Sequence, residues 1–390
     1  MRIYRYKCST PPQTMKLGDS PLERTDEYCY LGTNFTSNGS LNDACKTLHD
    51  KAIKAMYGLL SKINKHHSCN TQLLLQLFDK MILPIGMYNS EVWGTVCFPC
   101  NKNNNDFLNV PSSKNPVEDL QIRYCKRVLA VNDKATNWAI LSECGRLPTI
   151  TSIMRKITTF WVHLVKSKSP ILRAALQVSA DLSRVNHINT WFSTLTRILK
   201  FLDIEHILYT SDLQEVDLKV KSIKRILYKK AAENWLATHE KTKGLERTKL
   251  DLFCKTKTEF GLSLHLSSPL SFKERRALTK FRTSSHNLPV ETARYDGVQN
   301  RNDRICPLCN EATGDEAHYL TECPFDSFVE LRTPLKTIVT KKFPHFPSMS
   351  KTEKTVCLLN NPDTQIQSQV GRFAHEIMDT FTDMITASRR

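Results

Sequence analysis

Cys306, Cys309, His318 and Cys323 are the residues whose types and spacing most directly imply chemistry. They form the pattern C-x2-C-x8-H-x4-C. A structural zinc ion takes four sulfur or nitrogen ligands in a tetrahedron. The C-x2-C turn places two thiolates on one side, and the NEATGDEA loop can bring His318 and Cys323 round to the other. All four positions are filled, so none is left open for water or substrate. The pattern therefore predicts one structural zinc, not a catalytic one. The alternative is that four ligand-type residues fall together by chance and serve as core thiols. Metal would also answer a folding problem, because residues 298–316 have few apolar side chains with which to order themselves.

Charged and aromatic residues surround this cluster. Arg294, Arg301 and Arg304 precede it, Arg275, Arg276 and Arg282 lie upstream, and Tyr295 and Tyr319 offer flat rings. Cations interleaved with aromatics on a zinc knuckle suit single-stranded nucleic acid. The opposing reading makes the tyrosines core residues and pairs the arginines with Glu291, Asp296 and Asp303. A second basic feature is the row Lys51, Lys54, Lys62 and Lys65, which falls on one arc of a helix and could track phosphates. A solvated helix face is its plainer reading. The chain carries 55 Lys and Arg against 39 Asp and Glu, a net charge of +16, which fits a polyanionic partner. Cys97 and Cys100 form a second C-x-x-C, but with no second pair nearby and no redox setting it reads as a chance pairing.

Signatures of independent catalysis are missing. The sequence has no Asp-Asp pair, P-loop, G-x-G-x-x-G, H-E-x-x-H or G-x-S-x-G. Two-metal phosphoryl transfer needs clustered carboxylates, so no catalytic residue is expected here. The 13 cysteines are an odd number, scattered mostly singly through apolar stretches, and read as reduced thiols. No apolar run is long enough for a membrane span and no signal peptide is evident. The expectation is a soluble intracellular protein, nuclear or cytoplasmic.

These residues must be positioned by a mainly α fold, since 12 glycines in 390 residues are too few for a turn-dense β protein. Residues 40–64 show the clearest helical period, with Leu41, Cys45, Leu48, Ala52, Ala55, Leu59 and Ile63 on one face and Ser40 with Asp43 as a capping box. A helix over 71–83 has Leu73, Leu74, Leu77, Phe78 and Met81 as its apolar residues and ends at Pro84. Further helices are predicted over 117–131, 150–166, 189–202, 218–239, 272–282 and 367–387. Strands are confined to the first thirty or so residues and the zinc turn. The expected organisation is a thumb-like region over 1–95, a polar linker over 96–116 and a helical connector over 117–295. A zinc module over 296–330 and a helical tail over 331–390 complete it.

Several segments, in order, resemble the C-terminal part of a non-LTR (LINE-type) retrotransposon reverse transcriptase. They are Tyr30-Leu31-Gly32, then Gly39 and the helix after it; YNSEVWG at 88–94; LSECGRLP at 141–148, followed by Phe160-Trp161; and KFRTSSHNLPVETARY at 280–295, with the CCHC cluster directly after. The resemblance implies thumb, connector and zinc knuckle, parts that hold template and primer. It makes Cys306, Cys309, His318 and Cys323 the zinc ligands and sets Arg282, His286 and Arg294 in the motif leading to them. Ala293 stands where the family usually has glycine, and Asn89-Ser90 where it has Gly-Ala. The palm, with its Asp-Asp element, and the endonuclease are absent, as in a truncated copy. Without a palm to rest against, Leu73, Leu77 and Trp93 are expected to be partly exposed.

The expected function is thus non-catalytic binding of RNA or single-stranded DNA, through Lys51, Lys54, Lys62, Lys65, Arg282, Arg294, Arg301, Arg304 and Tyr319. An upstream palm or endonuclease portion is a further expected partner, with no membrane and no small-molecule substrate. The rivals are part of an active RNA-directed DNA polymerase whose palm lies elsewhere, and a relic or scaffold with no nucleic-acid role.

Overall fold

The computed structural model describes residues 16–21, 25–63, 70–98, 107–109, 115–185, 190–243 and 249–388. The fold is mainly α. The strands form two antiparallel pairs, Lys16–Leu17 with Ser20–Pro21 and Glu27–Tyr30 with Thr33–Thr36. Leu31 and Gly32, both at positive φ, make the two-residue turn of the second hairpin. No helix among the described residues is long and apolar enough to cross a membrane.

The chain divides into two compact units, each discontinuous in sequence. The first gathers Met1–Gly58, Asp79–Gln121 and Leu147–Ala231; the second gathers Leu59–Phe78, Ile122–Arg146 and Ala232–Arg390. This partition does not follow the linear order expected from composition. Within 96–116, Cys97, Phe98 and Phe107 are buried in the first unit's core, so the described part of that polar stretch is anchored by its aromatics.

The first unit is built around helix Ile150–Lys166, whose Ile153, Met154, Ile157 and Trp161 face inward at helical spacing. Trp93 packs there too and is fully buried, correcting the expectation that it is left exposed. Its indole donates to the Tyr88 carbonyl (2.6 Å). A Cβ on Gly94 would lie 2.5 Å from Ile153 Cγ2, so only glycine lets the two backbones approach here. Tyr88 Oη donates to the Leu31 carbonyl (3.0 Å) and Asn89 to Thr33 Oγ1 (2.7 Å), which ties YNSEVWG to the Tyr30–Thr33 turn.

Helix Asn42–Ile63 begins two residues after the predicted start; Ser40 Oγ accepts from the Asn42 amide (3.2 Å), but the Ser40 amide donates to Asn38 Oδ1 (2.7 Å) and not to Asp43 as a capping box requires. Its buried line runs Cys45, Leu48, Ala52, Met56, Leu60. The predicted Ala55, Leu59 and Ile63 are only half-buried, because beyond Ala52 the buried line advances in steps of four, ahead of 3.6 residues per turn, so the packed face turns round the helix. Residues 71–86 also differ. Helix Thr71–Leu77 passes into a π-helical turn, Phe78–Ile82, and then into Leu83–Gly86. Pro84 therefore starts a new helical segment instead of ending the first, at a position where its missing N–H costs nothing. The inward residues are Leu74, Leu75, Phe78 and Ile82, while Leu73 and Met81 are exposed.

In the second unit, helix Phe272–Arg282 opens with a complete capping box between Ser271 and Glu274 and packs along helix Thr364–Ser388. Phe281, Leu278, Phe373, Ile377 and Phe381 fill the core between them, and Tyr319 and Phe328 close it from the knuckle side.

Candidate metal centre and basic surface

The four predicted zinc ligands come together. Their donor atoms all lie within 4.8 Å of one another. Cys306 Sγ and Cys323 Sγ are 4.0 Å apart, and Cys309 Sγ and His318 Nε2 are 3.4 Å apart. A tetrahedron with ordinary Zn–S and Zn–N bonds has S–S edges of about 3.8 Å and S–N edges of about 3.5 Å. These two distances are close to such edges, and the cluster could hold one zinc ion.

Local structure explains the fit. The Cys306 amide donates to the Ala312 carbonyl (2.8 Å) and the Asn310 amide to the Cys306 carbonyl (2.8 Å). Asn310 takes the left-handed conformation that ends the C-x-x-C turn. Asp315 then caps helix Glu316–Thr321 by accepting from the His318 amide (2.7 Å), which fixes His318 in the first turn. Arg332 donates to the carbonyls of Tyr319, Leu320 and Cys323, so the fourth ligand is held from helix Asp326–Lys342.

Gly314 is called for by packing and not by backbone conformation. Its φ is not positive, but a Cβ there would collide with Tyr319 Oη and sit 3.2 Å from Pro289 Cβ. The glycine makes room.

The electrostatics favour a bound cation. Burial and Cys306 push the Cys323 thiol up to about 12, and burial holds the His318 imidazole down at about 4. Neutral imidazole is the ligand form, while three clustered thiolates call for a compensating positive charge.

The knuckle is docked onto the segment that precedes it in sequence. Glu316, 2% exposed, accepts from Ser284 Oγ (2.7 Å) and His286 Nε2 (2.7 Å). Burial alone would raise its carboxyl, yet His286 and Arg301 hold it at about 2. The Val290 amide donates to the Gly314 carbonyl (3.2 Å). Residues 280–295 and the zinc cluster are therefore one packed body.

The proposed nucleic-acid residues separate into two groups. Arg282 is 2% exposed and bonds Glu143 through Nε and Nη2 (both 3.0 Å) and Asn360 through Nη1 (2.6 Å). Tyr319 is fully buried against Phe328 and Phe381. Both expectations are corrected: these side chains hold the core and do not reach solvent. Arg301 is largely neutralised by Glu291 (2.7 Å) and Glu316 (3.5 Å), as the ion-pair alternative anticipated for Glu291. Arg304 is half-buried and spends three donors on backbone carbonyls of Val290, Val298 and Gln299. Arg294 is exposed, lies 4.7 Å from the Tyr295 ring and donates to its Oη (2.7 Å). Lys51, Lys54 and Lys62 are exposed on helix Asn42–Ile63, and Lys65 lies outside the described residues. Cys97 is buried beside Asn115, and Cys100 also lies outside the described residues.

Two features were not anticipated. A cleft of about 360 Å³ beside the knuckle is lined by Lys249, Arg294 and Arg304, by the Arg301–Glu291 ion pair, and by Gln299 and Asn300. Glu143, the partner of Arg282, lies within LSECGRLP, so that segment and 280–295 meet through a buried ion pair. The signal was present in part. Arg275, Leu278 and Arg282 fall on one helix face, which points Arg282 inward.

No family model, curated protein or solved structure matches this chain.

Proposed function

We propose that this chain is a non-catalytic nucleic-acid-binding fragment, with one structural zinc, of the thumb, connector and knuckle type found in non-LTR retrotransposon reverse transcriptases. The observation that carries the reading is the pairing of the resembling segments. Tyr30–Gly32 bonds to Tyr88–Asn89. Glu143 bonds to Arg282, and His286 and Val290 bond to the knuckle. The residues that carry the resemblance are the ones that hold each other, as expected of a shared architecture.

The basic cleft of Lys249, Arg294 and Arg304 beside the knuckle is the best supported contact, with Tyr295 as an exposed stacking ring. Lys51, Lys54 and Lys62 are a second set of cations, exposed on one helix. The zinc orders the loop that presents Arg304, so it acts on binding through structure. The test is fluorescence anisotropy with single-stranded RNA, comparing the zinc-loaded chain with Arg294→Ala plus Lys249→Ala. We expect weakening of roughly tenfold and a shallower salt slope. Unchanged affinity would remove the cleft from the reading.

One observation favours a scaffold without nucleic-acid role: Arg282, Tyr319 and Arg301 are taken up by the protein itself. Its mark is stoichiometric zinc with no oligonucleotide affinity at any salt concentration.

A further inference from the structure

Helices Phe272–Arg282 and Thr364–Ser388 pack so closely that a Cβ on Gly371 would lie 2.8 Å from Glu274 Cβ. Beside this contact lies a groove of about 1050 Å³, at the upper end of the range for small-molecule sites. It is distinct from the basic cleft and shares no residue with it.

The groove is lined by both cations and apolar groups. Lys273, Arg276 and Lys280 recur at spacings of three and four, so they share one helix face. Among the described residues, Lys273 and Arg276 have no ion-pair partner. The single carboxylate on the groove, Asp379, is already bonded to His375 (3.1 Å). Apolar surface comes from Phe272 and Ala277, next to the cations on the same helix, and from Met378. Ser285, 2% exposed, also lines the groove, and its Oγ has no hydrogen-bond partner among the described residues. Its amide donates to the Lys280 carbonyl (2.9 Å), which holds it next to the cations. A buried hydroxyl without a partner is costly, and here it lines a cationic groove.

We propose that this groove binds a nucleoside 5′-phosphate unit, with the phosphate on Arg276, Lys280 and Ser285 and the base against Phe272 and Met378. Arginine and a hydroxyl are suited to phosphate oxygens, the guanidinium as a planar fork and Ser285 as a single donor. The apolar wall answers the base, which inorganic phosphate lacks. Burial and Arg276 pull the Lys280 ammonium down to about 8, a crowding of positive charge that a bound anion relieves. The unit could come as a free nucleotide or as the 5′-phosphorylated end of a strand. In the second form the inference rests on the nucleic-acid reading above.

The test uses the full zinc-loaded chain. Calorimetry compares AMP, adenosine and inorganic phosphate, and anisotropy compares one short RNA with a 5′-phosphate against the same RNA with a 5′-hydroxyl. AMP is expected to bind at least about tenfold more tightly than adenosine or phosphate. Arg276→Ala, an exposed position that leaves the core intact, should lose about tenfold, and Ser285→Ala should lose less. A 5′-phosphate preference without AMP binding assigns the groove to strand ends; AMP binding without that preference assigns it to free nucleotide. Equal binding of phosphorylated and unphosphorylated ligands in both formats overturns the proposal, as does an Arg276→Ala variant that binds like the wild type. Binding of the 5′-hydroxyl RNA reports separately on the basic cleft.

Discussion

Replacing Arg282 with methionine tests whether this cation serves the core or the surface. The side chain fills a fully enclosed place and makes bonds to Glu143, Asn360, the Leu359 carbonyl and, at 3.5 Å, the Thr256 carbonyl. Methionine keeps the stem and removes the charge. Glu143, with no exposed surface, then keeps only His265 at 3.7 Å and the more distant charge of Lys257. Breaking a buried pair from one side costs about 3–5 kcal/mol, because the remaining charge is left uncompensated. Adding Glu143→Gln removes that charge, so the double variant should regain about half the loss. The pH dependence sharpens the test. In the wild type, burial alone would raise the Glu143 carboxyl, and Arg282 brings it below its ordinary value. That contribution is present above the unfolded carboxyl pKa and is lost as pH falls. In Arg282→Met the carboxyl is pushed upward instead, so the penalty is small at pH 4 and full at pH 7. Urea unfolding of the full chain, followed by tryptophan fluorescence at both pH values, reads this directly. A loss under about 1 kcal/mol at pH 7, or a deficit that does not grow from pH 4 to 7, refutes the buried-pair account. RNA affinity of the folded variant should be unchanged.

Further expectations follow from other sites. Gly314→Ala presses a methyl group against Tyr319 Oη and Pro289 and should cost about 1–3 kcal/mol, seen as a lowered Tm and weaker zinc retention against a chelator. His265 is fully buried and neutral, its pKa held near 3 chiefly by burial. Because the unfolded histidine takes up a proton at higher pH than the folded one, stability should fall as pH drops from about 6.5 toward 3. His265→Gln should flatten the upper part of that decline. On the proposed zinc reading, a chelator should unfold residues 298–323 first. Hydrogen exchange should then show lost protection at the Cys306 and Asn310 amides, while helix Ile150–Lys166 stays protected.

Much of this was legible in the sequence for identifiable physical reasons. Helices Ile150–Lys166 and Phe272–Arg282 have the bounds that the sequence pattern assigns them. The potential metal cluster was legible because C-x2-C and a nearby His and Cys are local constraints. What escaped was set by contacts distant in sequence. Arg282 and Tyr319 have the composition of a binding surface. Nothing local reveals that Glu143, 139 residues earlier, waits for the arginine. The ring of Tyr319 likewise closes on Phe381. Trp93 was judged by the surface it lacked, when Gly94 and Ile153 had already made a place for it. The shift from Ala55 and Leu59 to Met56 and Leu60 reflects a packed face that turns round the helix, set by what covers it and not by the helical period alone.

The central claim is a structural zinc that orders a nucleic-acid-binding knuckle, and one measurement meets it head on. Zinc content and the affinity for single-stranded RNA across a salt series are determined for the wild type and for Cys306→Ser with Cys309→Ser. One zinc per chain, an affinity that falls steeply with salt, and loss of both in the variant are the predicted results. One zinc per chain with no RNA binding at low salt would contradict the claim and leave the knuckle as a scaffold.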